Sequence, residues 1–300
     1  MIVILGSSGY VGSKYTEFLS SKGVKFLGFS RRQVDYTTRE GLSSLIRSTN
    51  ASFLINAAGY TGKPNVDACE LDRLGTLVGN AVFPAVVAEV CGDMGVPWGH
   101  VSSGCIYSGR RADGGGWRED DAPNFCFRSG RCSFYSGTKA LGEEIIADAP
   151  SCYVWRLRIP FNHEAGPRNY LTKLMTYERL LEAENSVSHL DEFVRATWEC
   201  WERRVPFGVY NVTNPGSAMT SDVVRWIREE TSRRDSAGLS CPFRRDFSFY
   251  SDEDEFMRIA AKTPRSNCVM DSSKLSSVGI SMSPVEDAFR SALKEWRAYI

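Results

Sequence analysis

Short apolar runs alternate with helix-like stretches through the first half of the chain. The runs, which are predicted to be strands, cover residues 2–5, 25–29, 53–55, 98–101 and 153–157. The predicted helices between them cover residues 10–20, 39–46, 80–94 and 136–146. Regular alternation of strand and helix predicts an α/β fold, in which helices cover both faces of a parallel sheet.

The alternation weakens after Pro160. Helices are predicted over residues 171–181, 191–202, 220–229 and 284–300, with a short strand over residues 209–212. The charged, serine-rich segment 231–254 is predicted to lie at the surface. The polar segment from Ser108 to about Phe134 is long for a connection and is therefore expected to be functional or mobile.

Charge and cysteine content narrow the class of protein. The 36 basic residues balance 36 acidic ones, so no global field favours a nucleic-acid or membrane partner. No uninterrupted apolar run approaches the roughly 20 residues that span a bilayer, and no signal peptide is recognisable. The nine cysteines lack metal-binding spacing and indicate reduced thiols in a cytoplasmic protein. The three histidines form no close pair along the chain, so no metal site is predicted.

A glycine-rich loop follows the first predicted strand and opens the first predicted helix. Its sequence is Gly6-Ser7-Ser8-Gly9-Tyr10-Val11-Gly12. Glycines let the backbone approach a pyrophosphate, and a helix N-terminus offers N–H donors and a positive dipole end. This context predicts a doubly wound Rossmann sheet that binds a dinucleotide, rather than a structural turn that merely happens to be rich in glycine.

The end of the second strand indicates which dinucleotide is bound. Ser30, Arg31 and Arg32 stand where an acidic residue would select NADH. Arginine suits a 2′-phosphate in charge and geometry, so NADPH is predicted. The alternative is that both arginines are solvated surface residues. Asp35 is also assigned to the cofactor site.

Tyr135 and Lys139 form a Y-x-x-x-K pattern at a helix start. The pattern is weak by itself, because Tyr10 and Lys14 also match it. On a helix, Lys139 lies one turn beyond Tyr135, where an ammonium would lower the pKa of the phenol. Ser103 follows a strand end, where its hydroxyl could bind a carbonyl oxygen. The three residues suit hydride transfer at a carbonyl carbon; the alternative is a surface pair.

The chain resembles the extended short-chain dehydrogenase/reductases, and most closely the dTDP-4-dehydrorhamnose reductase-like branch that contains the bifunctional UDP-4-keto-6-deoxyglucose 3,5-epimerase/4-reductases. The resemblance runs almost end to end. The segments that carry it are Asn56-Ala57-Ala58-Gly59, Thr61-Gly62-Lys63-Pro64-Asn65-Val66-Asp67, Ser103-Gly104-Cys105-Ile106-Tyr107, Pro123-Asn124-Phe125, Phe134-Tyr135-Ser136, Pro167-Arg168-Asn169-Tyr170 and Pro264-Arg265-Ser266-Asn267. Asn185-Ser186 departs from the D-Q-x-x-x-P-T stretch of simple reductases and favours the bifunctional branch.

The resemblance implies roles for further residues. It implies a Rossmann domain over residues 1–160 and a mainly nucleotide-sugar-binding, smaller domain over residues 161–300, with some segments returning to the first domain. Cys105 and Lys173 are implied as the proton-transfer pair of epimerisation; the alternatives are a buried thiol and a solvated or phosphate-binding lysine. Asn80 and residues 56–59 are implied at the cofactor. The implied substrate-binding residues are Thr61, Lys63, Cys105, Arg168, Asn169, Lys173, Arg265 and Asn267.

Three functions follow from this resemblance. The first is an NADPH-dependent 3,5-epimerase/4-reductase that makes a 6-deoxyhexose such as NDP-rhamnose. The second is a reductase only, in which Cys105 is silent. The third is a non-catalytic NADP-binding regulatory subunit, similar to the β subunit of methionine adenosyltransferase. A homodimer through a helix pair is expected from relatives.

Overall fold

Six parallel strands form the central sheet of the computed structural model, which describes residues 1–243 and 246–297. The strands are β1 (Ile2–Leu5), β2 (Phe26–Phe29), β3 (Phe53–Asn56), β4 (Trp98–Ser103), β5 (Cys152–Leu157) and β10 (Gly208–Asn211). Their order is β10-β5-β4-β3-β1-β2. β1, β3 and β5 are buried along most of their length, as expected for a parallel sheet covered on both faces. The predicted fold class is confirmed.

Helices cover both faces of this sheet. They are α1 (Tyr10–Ser21), α2 (Arg39–Thr49), α3 (Ala68–Leu71), α4 (Arg73–Leu77), α5 (Phe83–Met94), α6 (Phe134–Ile145) and α8 (Leu190–Glu202). A π-helical turn, Val78–Val82, joins α4 to α5. Apolar residues of α1 and α8 pack on one face, and those of α2 and α5 pack on the other. The sheet core is therefore complete only when α8, from the second half of the chain, packs beside α1.

The remaining elements form a second, smaller core. Its helices are α7 (Tyr170–Thr176), α9 (Thr220–Ser236), α10 (Glu253–Ile259) and α12 (Val285–Lys294). The short helix α11 (Ser273–Ser277) packs on β10 instead and buries Leu275 in the sheet core. Its two-stranded sheets pair β6 (Pro160–Phe161) with β9 (Ser188–His189), β7 (Arg179–Leu180) with β12 (Ser248–Phe249), and β8 (Glu184–Asn185) with β11 (Ala218–Met219). Leu174, Trp226 and Phe289 are buried in this core. The division at residue 160 remains a prediction, since α8 and β10 belong to the sheet region.

Several element boundaries differ from the sequence-based expectation. The helix predicted over 171–181 ends at Thr176, because Tyr177 is extended and the chain then pairs as β7. The helix predicted over 220–229 continues to Ser236 and buries Thr231, so segment 231–254 is not wholly surface. The helix predicted over 284–300 spans Val285–Lys294, and residues 298–300 of that prediction lie outside the described residues. Residues 244–245 of the predicted surface segment also lie outside them.

The helical stretch Arg73–Met94 is long and apolar enough to cross a membrane by length and composition. Sequence inspection did not predict this, because Arg73, Glu89 and Asp93 interrupt the apolar run. One such helix is weak evidence for a membrane span, since a core helix passes the same test. Here the stretch packs against α2 and α6, which accounts for its buried apolar side.

The close approach of β4 to β5 gives a stability prediction. Gly99 lies under the buried indole of Trp155, and a Cβ at this position would overlap the ring. We expect Gly99→Ala to lower the free energy of unfolding by about 1–3 kcal/mol, as overpacked cores do. At Gly92, exposed on α5, a Cβ would only make ordinary contact with Pro150 (3.6 Å), so Gly92→Ala should raise the free energy of unfolding by about 0.5–1 kcal/mol. Urea denaturation measures both; equal effects would contradict the packing argument.

Candidate functional site

The carboxyl ends of the central strands open into two cavities that share a wall. The larger, of about 590 Å³, lies between the sheet and the second core. The smaller, of about 200 Å³, lies beside β2. Ser8, Gly9 and residues 57–59 line both. Ligands of doubly wound sheets bind at this edge, so the paired cavities fit an extended two-part ligand.

The glycine loop closes tightly around the first βα turn. Gly6 has a φ of +76°, and a Cβ there would lie 2.8 Å from the Ala58 backbone. A Cβ on Gly12 would overlap the carbonyl oxygen of Gly6. Gly9 precedes α1 directly, so the N-terminus of that helix faces the cavities. Only glycine fits these two positions, and it lets the backbone close into a tight turn beside the helix N-terminus. Such a turn can hold a pyrophosphate, which fits a bound dinucleotide.

The predicted cofactor-selecting residues separate in space. Ser30 and Arg31 line the smaller cavity, together with Tyr36, which the sequence analysis missed. Arg32 does not line either cavity, and the exposed Asp35 carboxylate accepts hydrogen bonds from the N–H and hydroxyl of Thr37. Of the two arginines, only Arg31 lines a cavity, so the prediction of a 2′-phosphate contact is kept for Arg31.

Two buried asparagines hold the wall between the cavities. Asn56 accepts a hydrogen bond from Ala58 N (3.1 Å), and its amide contacts the His100 ring (3.1 Å). Asn80 accepts from Tyr60 N (2.8 Å) and donates to Tyr60 O (2.8 Å) and to the Thr138 hydroxyl (3.3 Å). Asn80 thereby fastens the turn after β3 to α6. Asn56 lines neither cavity and only holds the backbone of the turn.

Ser103, Tyr135 and Lys139 meet at the larger cavity, as predicted. Ser103 ends β4, and its hydroxyl accepts a hydrogen bond from Cys105 N (3.2 Å). Tyr135 and Lys139 lie on α6, which starts earlier than predicted because Ser133 caps it. Glu70, on α3, also accepts a hydrogen bond from Phe134 N (2.7 Å). The start of the helix that carries Tyr135 is therefore fixed from two sides.

Burial sets the protonation of Tyr135 and Lys139. Desolvation raises the pKa of Tyr135, and the nearby Cys105 raises it further. The Lys139 ammonium donates to Val101 O (3.2 Å), and burial lowers its pKa. The expectation that Lys139 lowers the phenol pKa does not match this geometry, because desolvation of the hydroxyl outweighs other influences. Tyr135 is accordingly held as a protonated phenol, the form that donates a proton to an alkoxide.

Cys105 and Lys173 approach the same cavity from different elements. Cys105 follows β4, and burial raises the pKa of its thiol. Lys173 lies on α7, where burial and the neighbouring Arg168 and Arg265 lower the pKa of its ammonium. The two shifts are opposite in chemical effect: the thiol keeps its proton, whereas the lysine loses its proton more readily.

The predicted substrate residues divide into two groups. Thr61, Lys63, Arg168 and Arg265 line the larger cavity. Arg168 donates to the Thr61 hydroxyl and to Gly62 O (2.9 Å), and Arg265 forms a bidentate ion pair with Asp67 (2.7 Å).

Asn169 and Asn267 do not reach the cavity wall. Asn169 is buried as the cap of α7 and donates to Asn162 O (2.8 Å) and Glu164 O (2.7 Å). The Asn267 side chain accepts from Asn185 (3.2 Å). Both asparagines thus hold the chain in place within the second core.

Sequence reasoning missed five polar residues of the larger cavity. Those that line it are Ser102, Ser133, Ser136, Arg158 and Ser266. Arg158 is buried, donates to Asn185 Oδ1 (2.5 Å) and to Ser266 O, and opposes the rise in the Cys105 pKa. Ser133 shortly precedes the predicted helix, and serine is favoured at helix caps, so this position could have been recognised from the sequence. No local signal marks Arg158, because its partners are distant in sequence.

A Rossmann sheet with a glycine loop and a Ser/Tyr/Lys set at one cavity defines a short-chain dehydrogenase/reductase. Comparison with known proteins gives the family. Residues 1–298 match the RmlD substrate binding domain, and the chain belongs to this family.

Curated relatives include a bifunctional dTDP-4-dehydrorhamnose 3,5-epimerase/dTDP-4-dehydrorhamnose reductase of Arabidopsis thaliana, 32% identical over 76% of this chain and 74% of that protein. A trifunctional UDP-glucose 4,6-dehydratase/UDP-4-keto-6-deoxy-D-glucose 3,5-epimerase/UDP-4-keto-L-rhamnose-reductase of the same plant is 31% identical over 91% of this chain, which spans only 38% of that protein. Among solved structures, a UDP-rhamnose synthase from Acanthamoeba polyphaga mimivirus has a TM-score of 0.86 at 22% identity, with 98% of each chain covered. A dTDP-4-dehydrorhamnose reductase from Bacillus anthracis, in complex with NADP, has a TM-score of 0.78 at 17% identity, covering 98% of this chain and 97% of that one.

Asn80 offers a test of how the cavity wall is held. Asn80→Ala leaves both Tyr60 backbone groups without their partner, and we expect it to weaken NADPH binding and to lower the free energy of unfolding by about 1–3 kcal/mol. Fluorescence titration with NADPH and urea denaturation measure the two effects.

Asn124 provides the matched control. Its side chain makes the same pair of bonds to Ser108 (2.8 and 3.0 Å), but on an exposed loop where water can replace them. Asn124→Ala should leave NADPH affinity unchanged. An equal loss of affinity in both variants would show that Asn80 has no special link to the cofactor wall.

Proposed function

We propose that this protein is an NADPH-dependent 3,5-epimerase/4-keto-reductase that converts an NDP-4-keto-6-deoxyhexose to a 6-deoxyhexose such as NDP-rhamnose. The observation that carries the proposal is the convergence of Ser103, Tyr135, Lys139, Cys105 and Lys173 on one cavity that adjoins the glycine loop. The Arabidopsis and mimivirus relatives support the sugar class. The activities of these relatives favour a UDP- or dTDP-linked substrate.

The reducing half of the proposal uses the sheet-side residues. Bound NADPH supplies the hydride that reduces the C4 carbonyl. Ser103 binds the carbonyl oxygen, and the Tyr135 phenol gives its proton to that oxygen as the C4 carbinol forms. Lys139, whose ammonium donates to Val101 O, lies one helical turn beyond Tyr135 on α6. Its charge is proposed to stabilise the phenolate left after proton transfer, not to lower the pKa of the resting phenol.

The epimerising half uses the opposed protonation preferences of Cys105 and Lys173. The C–H bonds at C3 and C5 are acidic because they lie α to the C4 carbonyl. Neutral Lys173 takes a proton from carbon, the negative charge moves to the Ser103-bound oxygen, and the Cys105 thiol returns a proton to the opposite face. The lysine is left protonated and the cysteine as thiolate, so exchange with solvent restores both groups.

Arg168 and Arg265 are proposed to bind the diphosphate of the substrate. Both line the cavity beside Lys173. Asp67 neutralises much of the Arg265 charge, so Arg168 is expected to carry more of the phosphate contact.

Deuterium incorporation tests the proposed activity. We expect purified protein in D₂O to oxidise NADPH with UDP-4-keto-6-deoxyglucose and to give a product deuterated at C3 and C5, read by NMR. Cys105→Ser should reduce formation of the epimerised, deuterated product by about 10²–10⁴-fold, the usual contribution of a general acid or base. Tyr135→Phe should reduce NADPH oxidation by a similar factor while leaving exchange.

Two other outcomes identify the alternative functions. Epimerised product formed by Cys105→Ser shows that Cys105 is silent, whereas deuterium without inversion shows exchange through Lys173 alone. NADPH oxidation without deuterium, using a substrate already epimerised, indicates a reductase only. Tight NADPH binding without turnover of UDP- or dTDP-linked 4-keto sugars would favour the regulatory-subunit alternative, which the retained Ser103/Tyr135/Lys139 set now disfavours.

The pH dependence of exchange tests Lys173 as the base. Only the neutral amine accepts a proton, so exchange should rise with pH through a Lys173 pKa that lies below the usual lysine range. Arg168→Gln removes a neighbouring positive charge, which should raise that pKa and move the rising limb to higher pH. A higher KM with an unmoved limb would instead show that Arg168 only binds phosphate.

We also propose a homodimer through an apolar helix face. Leu71, Leu74, Val78 and Val82 form an exposed stripe along α3–α5, and Leu71 and Leu74 are 78% and 74% exposed. Ile145 on the adjacent α6 extends the face. Such a face is self-complementary when a second copy is related by a two-fold axis. Its apolar character favours this use over exposure to water.

Light scattering after size exclusion tests the dimer. We expect the unmodified protein to have twice the chain mass. The Leu74→Glu/Val82→Glu variant should be a monomer, because a dimer would have to bury the new carboxylates in its interface. Ile259→Glu, at an exposed apolar residue on α10, is the control and should remain dimeric. A monomeric parent, or a dimeric double variant, would contradict this interface.

A cytoplasmic location also remains a prediction, consistent with nine free cysteines.

A further inference from the structure

Two histidines and an aspartate that are separated in sequence come together behind the glycine loop. His163 follows β6, His189 ends β9 and Asp191 lies in the first turn of α8. One ligand atom from each residue lies within 4.8 Å of the others, and His163 Nδ1 is 3.5 Å from Asp191 Oδ2. The two histidines form no close pair along the chain, but pairing of β6 with β9 makes them neighbours in space.

The backbones that carry the two histidines are firmly placed. The carbonyl of His163 accepts a hydrogen bond from Arg297 N (2.7 Å), and the N–H of His189 donates to Asn214 Oδ1 (2.6 Å). The His189 ring packs edge-on against Phe161, with centroids 5.3 Å apart. The backbone of the cluster is therefore fixed, and only side chains have to move when a ligand binds.

The His189 ring has an unmet hydrogen-bonding group. Its Nδ1 is buried and has no hydrogen-bond partner among the described residues. A buried imidazole nitrogen without a partner is unfavourable in an ordinary core, where such groups are almost always satisfied.

The surrounding charges favour a cation. Asp191, Glu164, Glu192 and Glu295 lie around the cluster, against the ammonium of Lys14 and the guanidinium of Arg297. Lys14 is itself held by ion pairs with Glu164 and Glu17 (2.7 Å to Glu17). Glu192 accepts hydrogen bonds from Ser283 N (2.7 Å) and Asn214 (3.2 Å). Negative charge thus exceeds positive charge around the two imidazoles.

We propose that His163, His189 and Asp191 bind a divalent transition-metal ion, with Zn²⁺ as the first candidate. Two imidazoles and one carboxylate suit Zn²⁺ and its neighbours, whereas Mg²⁺ and Ca²⁺ prefer oxygen ligands. Ligands of a tetrahedral ion at about 2.0–2.2 Å lie closer together than 4.8 Å, so side chains must rotate inward. His163 and Asp191, whose side chains are 18% and 39% exposed, are free to do so.

The position of the site indicates a structural role. It connects the segment after β6, the strand β9 and the helix α8, and α8 packs on α1 behind the nucleotide loop. The cluster does not line either cavity of the functional site. A bound ion would therefore stabilise the junction between the sheet and the second core and take no part in proton or hydride transfer.

Zn²⁺ binding by the full-length protein tests the proposal without reference to activity. Competition with a chromogenic chelator should give one Zn²⁺ per chain in a Cys132→Ser/Cys241→Ser background, which removes the two cysteines that are not fully buried. His163→Ala and Asp191→Asn in that background should each weaken binding at least about tenfold. Co²⁺ at the same site should give visible ligand-field absorption without a thiolate charge-transfer band.

Controls separate ligand loss from misfolding. Asp287→Asn, at a first-turn acid of α12, should bind Zn²⁺ like its parent. Zn²⁺ should raise the melting temperature of the background protein but not of His163→Ala, whose fold is checked by circular dichroism. If His163→Ala does not fold, His163→Gln replaces it. Absence of stoichiometric binding, or equal affinity in the ligand variants and the control, overturns the proposal whatever the enzymatic activity.

Discussion

The contact between α6 and the π-helical turn Val78–Val82 is the constraint on which the site depends. Gly142 lies so close to the carbonyl of Asn80 that any side chain on it would overlap this oxygen. The Asn80 side chain then reaches Tyr60 on one side and Thr138 on the other. One close helix contact therefore fixes the turn at the dinucleotide and the helix that carries Tyr135 and Lys139. The same contact leaves the outer, apolar side of the Arg73–Met94 stretch facing away from the core.

Burial also organises the chemistry of the larger cavity. Desolvation favours the neutral form of each group, so it keeps protons on Tyr135 and Cys105 and favours their loss from Lys173. A phenol and a thiol thus become proton donors, and an amine becomes a proton acceptor. These are the protonation states that a carbonyl reduction and an α-epimerisation require of separate residues. Burial in the cavity is enough to favour these protonation states, and no separate ion pair to each group is needed.

Polar residues at the back of the site fasten the sheet to the loop that follows β4. Arg156 pairs with Glu143 (2.8 Å) and donates to the Tyr107 hydroxyl (3.0 Å), which in turn donates to Asp121 O (2.7 Å). Both members of the ion pair are buried, so loss of either would leave a charge without its partner. The long polar segment after Ser108 is consequently held against β5 through Asp121. The prediction that this segment is functional or mobile stays a prediction.

The sequence by itself determined those features that depend on residues a few positions apart. The glycine loop, the strand–helix alternation and the one-turn spacing of Tyr135 and Lys139 are local, because backbone geometry alone relates their members. Only the tertiary structure decided the rest. Asp67 meets Arg265 across 198 residues. Lys173 acquires its lowered pKa first from burial and then from Arg168 and the distant Arg265. His163 meets His189 and Asp191 through a strand pairing. The reason is physical: burial and through-space distance are set by how remote segments pack, and no local pattern records them.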